Sequence, residues 1–152
     1  MDLELELVGR LLLSAFLGYI IGLERELSGK ESGDRTHALA ALGACLFTVV
    51  SFQAGGGGDP SRIAAQVVTG LGFLGAGMIL KKDNEIEGLT TAAGIWAVGA
   101  IGLAIGVGEY LLGVSAALFV GLILASERAI DLIRRRIQKQ DRQDQAKREG
   151  EY

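Results

Sequence analysis

Residues 38–54 read ALAALGACLFTVVSFQA, and only Cys45, Thr48, Ser51 and Gln53 interrupt the apolar side chains. A helix on the surface of a soluble domain carries an apolar stripe and a polar side. This stretch has almost no polar side to give it. Residues 7–23, 63–80, 89–107 and 110–125 read in the same way. A bilayer core about 30 Å thick asks for roughly 20 helical residues. The pattern predicts an all-α polytopic membrane protein. Residues 1–126 form a domain of five transmembrane helices, and residues 127–152 form a short charged cytoplasmic helix and tail. The lipid bilayer is therefore the first partner.

The glycine content supports this reading. The chain has 23 Gly and one Pro. Interior Gly costs a soluble helix about 1 kcal/mol relative to Ala, whereas in lipid it lets helix backbones approach closely. Gly18 and Gly22 are four apart, as are Gly102 and Gly106, and Gly113, Ala117 and Gly121 form a row. These ridges fit helix contacts between protomers or, the favoured reading, within one chain. A homo-oligomer is expected because five short helices enclose little volume by themselves. Gly70, Gly72 and Gly75 match the dinucleotide spacing, but the strand–helix–strand context and the distant acid are missing. Close helix packing is the better reading of them.

Lys and Arg set the orientation, because cytoplasmic loops are enriched in them. The first linker, the third linker and the tail hold thirteen, against one in the second linker and none before residue 7 or in the fourth linker. Five spans with the amino terminus outside and the carboxyl terminus cytoplasmic explain the split. The start carries Asp2, Glu4 and Glu6 rather than the basic residues of a signal peptide. Residues 7–23 are thus expected to be a retained span. Arg134-Arg135-Arg136, beside Ile130, Ile133 and Ile137, fits a short amphipathic helix along the inner leaflet. The acids of the tail nearly cancel its bases, so no nucleic-acid partner is expected. Cys45 is the lone cysteine and reads as a small hydrophobe. No Ser/His or Cys/His pairing and no zinc spacing appears. Neither an enzyme nor a resident cofactor is expected.

The candidate site residues lie at the membrane edges. The first linker holds Glu24, Arg25 and Glu26 at its start and Asp34, Arg35, Thr36 and His37 at its end. Charges beside an apolar run favour pairing or hydration. Glu24, Arg25, Asp34 and Arg35 are expected to form an ion-paired collar, with Asp34 as a cap for the second helix or, with its neighbours, a ligand contact. On the outer side, Asp59-Pro60 is a helix start, and Arg62 and Gln66 share one helix face. Asp59 is the one residue proposed to meet a metal, or to pair with Arg10 inside the first span. Gln66, in an apolar run, needs another helix, a ligand or water. Thr90 or Thr91 is expected to cap the fourth helix. Trp96, inside a span, is expected to face protein because its indole N–H needs a partner.

These motifs together resemble the amino-terminal membrane domain of the MgtC/SapB family. They run in order: Gly22-Leu23-Glu24-Arg25-Glu26, Arg35-Thr36-His37-Ala38-Leu39, Asp59-Pro60-Ser61-Arg62-Ile63-Ala64-Ala65-Gln66-Val67-Val68, Gly72-Phe73-Leu74-Gly75-Ala76-Gly77, and Gly88-Leu89-Thr90-Thr91-Ala92-Ala93-Gly94-Ile95-Trp96. The resemblance covers residues 7–125. It implies five spans in the bacterial inner (plasma) membrane, a link to growth under magnesium limitation and, in pathogens, survival inside host cells. Two functions follow as expectations. One is transport of Mg²⁺ or a similar cation along oxygen groups from Asp59 and Gln66 to Thr90, Glu24 or Asp34, since Mg²⁺ takes oxygen ligands. The other is a non-transporting membrane regulator that binds another membrane protein during magnesium limitation or host-cell survival.

Overall fold

The computed structural model describes residues 2–30, 32–53, 59, 61–82 and 85–127. In chain order they form α1 (Asp2–Leu27), α2 (Asp34–Gln53), α3 (Ser61–Ala76), β1 (Leu80–Lys82), β2 (Glu85–Glu87), α4 (Leu89–Val107) and α5 (Tyr110–Glu127). The expected cytoplasmic helix and tail fall outside the described residues except for Glu127.

Four helices, α1, α2, α4 and α5, are long and apolar enough to cross a membrane. The third run differs from its expectation. It is helical for 16 residues only, about 24 Å at 1.5 Å per residue. Its helix then closes with tightened bonds from Met78 N to Gly75 O and from Ile79 N to Ala76 O, and Leu80 enters a strand. The fold is therefore mainly helical rather than purely so. The strands pair antiparallel, with Leu80 opposite Glu87, Lys81 opposite Ile86 and Lys82 opposite Glu85. Apolar periodicity could not reveal a three-residue pair flanked by charges. Gly88 makes the tight return into α4: its φ is +87°, and a Cβ there would meet the Met78 carbonyl.

The last two runs remain separate helices. Gly108, at φ +103°, ends α4; its N–H bonds Ile105 O and the Glu109 N–H bonds Ala104 O. That pair of bonds is the Schellman ending that left-handed glycine permits.

Helix α2 lies between α1 and α4. The shared core contains Ile21, Ala41, Cys45, Val49, Val98, Ile101 and Ile105, with Ala117 and Leu124 from α5. Glycines set its spacing. A Cβ at Gly18 would sit 2.8 Å from Ala41 Cβ, and one at Gly106 would sit 2.7 Å from Thr48 Cβ. The Gly18/Gly22 and Gly102/Gly106 ridges thus serve contacts within the chain. The third row divides: Gly113 packs on Ile105, Ala117 is buried, and Gly121 faces open space. The outer faces are apolar too, with Phe16, Phe47, Phe73, Leu111, Phe119 and Ile123 exposed. An apolar exterior around an apolar core is what lipid as solvent allows.

Candidate functional site: a buried arginine and its cavity

Successive helices run from one end of the bundle to the other. Arg10 of α1 meets Gly106 at the end of α4, whereas Arg25 of α1 meets Glu127 at the end of α5. The first linker, the β1–β2 pair and the end of α5 consequently meet at one end, and they line a cavity of about 750 Å³ there.

Arg25 is the centre of this end. It is 0% exposed. Nη1 donates to Glu127 Oε2 at 3.1 Å and lies 3.7 Å from Glu24 Oε2. Lys30 Nζ donates to the other Glu127 oxygen at 2.7 Å. Ser28 Oγ donates to Glu24 Oε1 at 2.7 Å. Arg25 Nε and Nη2 are buried with no hydrogen-bond partner, as is Glu24 Oε2. A buried unpaired polar group costs about 1–3 kcal/mol, more when charged, so this end of the fold carries a deficit.

His37 is buried beside it. Its Nδ1 lies 2.9 Å from Gly33 O. A carbonyl only accepts, so Nδ1 carries the proton. Nε2 is buried without a partner, on the side of α4 where a Cβ at Gly94 would lie 3.5 Å away.

The expected collar is only half realised. Glu24 and Arg25 belong to it, but Lys30 and Glu127 take the places assigned to Asp34 and Arg35. Asp34 accepts from the Arg35 N–H at 2.6 Å at the start of α2, while Arg35 and Thr36 are exposed. Glu26 is exposed and reaches Asp34 N at 3.4 Å. Neither Thr90 nor Thr91 caps α4: Gly88 holds that position and no side chain caps it. Both threonines line the cavity instead, Thr91 being buried. The signal for Glu127 was the alternation of the runs, which places residue 127 at the same membrane edge as residue 25.

The opposite end is satisfied. Arg10 donates to Glu6 at 2.6 Å, to Gly106 O at 2.8 Å and to the Tyr110 hydroxyl at 3.0 Å. It has taken these partners rather than Asp59. Asp59 accepts from the Ser61 N–H at 2.9 Å and the Ser61 hydroxyl at 2.7 Å, so it caps α3 as expected. These bonds hold its carboxyl below the usual Asp range. Arg62 and Gln66 are exposed on α3. Trp96 is 51% exposed; it faces away from the protein, against expectation, because Ile95 and Val98 take the inward positions of α4. Among the described residues, no three His, Cys, Asp or Glu side chains gather to hold a metal.

Comparison with known proteins gives a consistent picture. The family model described as the MgtC family matches residues 11–132. The chain is 48% identical over 127 residues to the putative magnesium transporter YhiD of Escherichia coli, covering 78% of this chain and 59% of that protein. It is 42% identical over 154 residues to an uncharacterized protein of Haemophilus influenzae, covering 95% and 63% respectively. It is 41% identical over 117 residues to protein SapB of Bacillus subtilis, covering 71% and 50%. The chain thus spans half to two thirds of the length of these relatives. No solved structure matches it significantly.

Proposed function

The chain belongs to the MgtC family, and on that premise we propose that it serves magnesium homeostasis as an inner-membrane regulator that binds another membrane protein. In this reading α3 is a fifth crossing, short enough to be met by local thinning of the bilayer. The amino terminus is outside, and the Arg25 cavity is cytoplasmic, in line with the Lys and Arg distribution.

The observation that carries the regulatory reading is the exposed face of α3. Arg62, Gln66, Thr69 and Gly70 lie on it at helical spacing and are all exposed. A Cβ at Gly70 would meet nothing within 4 Å. A side-chain amide beside small residues on an apolar helix is suited to a partner helix. The interior of one chain offers little to a cation by contrast. Ala41, Cys45, Val98, Ile101 and Ile105 are at most 1% exposed and close the seam between α1, α2 and α4. Mg²⁺ keeps several waters and prefers an octahedral oxygen shell, which this seam has no room to provide.

Transport of Mg²⁺ between copies of the chain is the second reading. The name of the Escherichia coli relative, at 48% identity, favours it. The test is Mg²⁺ flux into sealed proteoliposomes holding the folded, inserted protein. Uptake equal to that of empty vesicles is expected. Saturable uptake abolished by Asp59→Asn or Gln66→Leu would move the conclusion to transport.

A further inference from the structure

The Arg25 cavity holds more donors than its own chain satisfies. Arg25 and Lys30 on its wall already bind one anionic group, the Glu127 carboxylate, through Arg25 Nη1 and Lys30 Nζ. The remaining edge of the guanidinium, Nε with Nη2, is the one that grips two oxygens side by side, and it is buried without a partner. A second set of donors lines the same cavity. The 19-residue α4 begins on the same wall with Gly88, Leu89, Thr90 and Thr91 and has no side-chain cap. First-turn N–H groups lack intrahelical acceptors and carry the positive end of the helix dipole, a setting that takes phosphate-type anions. Thr36, Thr90 and Thr91 also line the cavity, as does the acid Glu87.

We propose that this cavity binds a phosphoryl group, carried by a phospholipid headgroup or by free phosphate, between the unoccupied Nε–Nη2 edge of Arg25, the Lys30 ammonium and the uncapped start of α4. Glu127 is a built-in competitor: its carboxylate occupies part of the cationic surface. It is 38% exposed on its side chain, so it can swing aside. The site is separate from the α3 face and does not depend on the regulatory reading.

The test uses the full chain purified in detergent and phosphate-free buffer. One arm titrates inorganic phosphate by calorimetry. The other adds phosphatidylglycerol, with diacylglycerol as the phosphate-free control, and counts retained lipid by native mass spectrometry. Saturable binding of phosphate identifies a soluble source, and retention of phosphatidylglycerol over diacylglycerol identifies a headgroup; either supports the site. Lys30→Gln should weaken the bound probe by about tenfold, the effect of one charge-assisted hydrogen bond. Glu127→Gln should tighten it by a similar factor. Arg25→Gln should abolish it and, because Arg25 is buried, is read only if the variant still melts cooperatively. No binding of either probe by folded protein overturns the proposal, as does binding that is the same in wild type, Lys30→Gln and Glu127→Gln.

Discussion

Substituting Gly106 by Ala tests whether glycine contacts hold the bundle together. The new Cβ would lie 2.7 Å from Thr48 Cβ, 2.9 Å from Cys45 O and 3.0 Å from Thr48 Cγ2. Carbon contacts settle near 3.5–4.0 Å, so α2 and α4 must part by about 1 Å. Overpacking of this kind costs about 1–3 kcal/mol, and the better helix propensity of Ala returns up to about 1 kcal/mol. The carbonyl of Gly106 also accepts from Arg10 Nη1 at 2.8 Å, and a shifted α4 weakens that bond. The expected net loss is about 1–2 kcal/mol, or a Tm lower by roughly 2–8 °C for a chain of this size. The single Cys45, fully buried against the same seam, supplies the assay: a thiol-reactive fluorophore reports melting as that residue becomes exposed. Gly121→Ala is the control, since nothing lies within 4 Å of that position; its Tm should equal or exceed the wild-type value. A Gly106→Ala protein melting at or above the Gly121→Ala protein would refute the packing argument.

Three further outcomes are expected. Arg25→Met should cost up to about 3 kcal/mol, because it leaves the largely buried Glu24 without its cation, less what the loss of two unpaired buried donors returns. Lys30→Met should cost about 0–1 kcal/mol, because that side chain is 35% exposed; equal melting shifts in the two variants would contradict the assigned burial. Trp96 is the only tryptophan, so intrinsic fluorescence reports on it alone; brominated lipid chains should quench it strongly, and emission indifferent to them would mean that protein covers it. The Asp59 carboxyl should titrate below an unperturbed Asp in a carbon-detected NMR titration, and Ser61→Ala should raise it. Because the folded-state value is depressed, this carboxylate favours the folded helix start above the ordinary Asp range, and that contribution fades as pH falls through the depressed value.

The first linker was legible as the polar centre because charges there abut apolar runs. Asp59 was legible as a cap because capping is a matter of two neighbouring residues. The internal architecture of the site was not. Asp34 and Arg35 are as charged as Glu24 and Arg25, and nothing local separates the pair that joins the buried ion cluster from the pair that stays at the helix start. The partner of Arg25 stands 102 residues away. The outward position of Trp96 is not legible in the sequence, because α4 is apolar all round and carries no direction for its inward face.

Composition and order along the chain were enough to read the solvent, the apolar helical runs, the family and the skew of Lys and Arg toward alternate linkers. These depend on composition, periodicity and short spacings. Only packing in three dimensions splits residues 63–80 into a helix and a strand, presses Gly102 and Gly106 on α2 within one chain, and brings Glu127 to Lys30 and Arg25. Such pairings depend on which helix faces meet. In a chain whose outside is as apolar as its inside, hydrophobic patterning cannot name those faces; close backbone approach and the satisfaction of buried polar groups do.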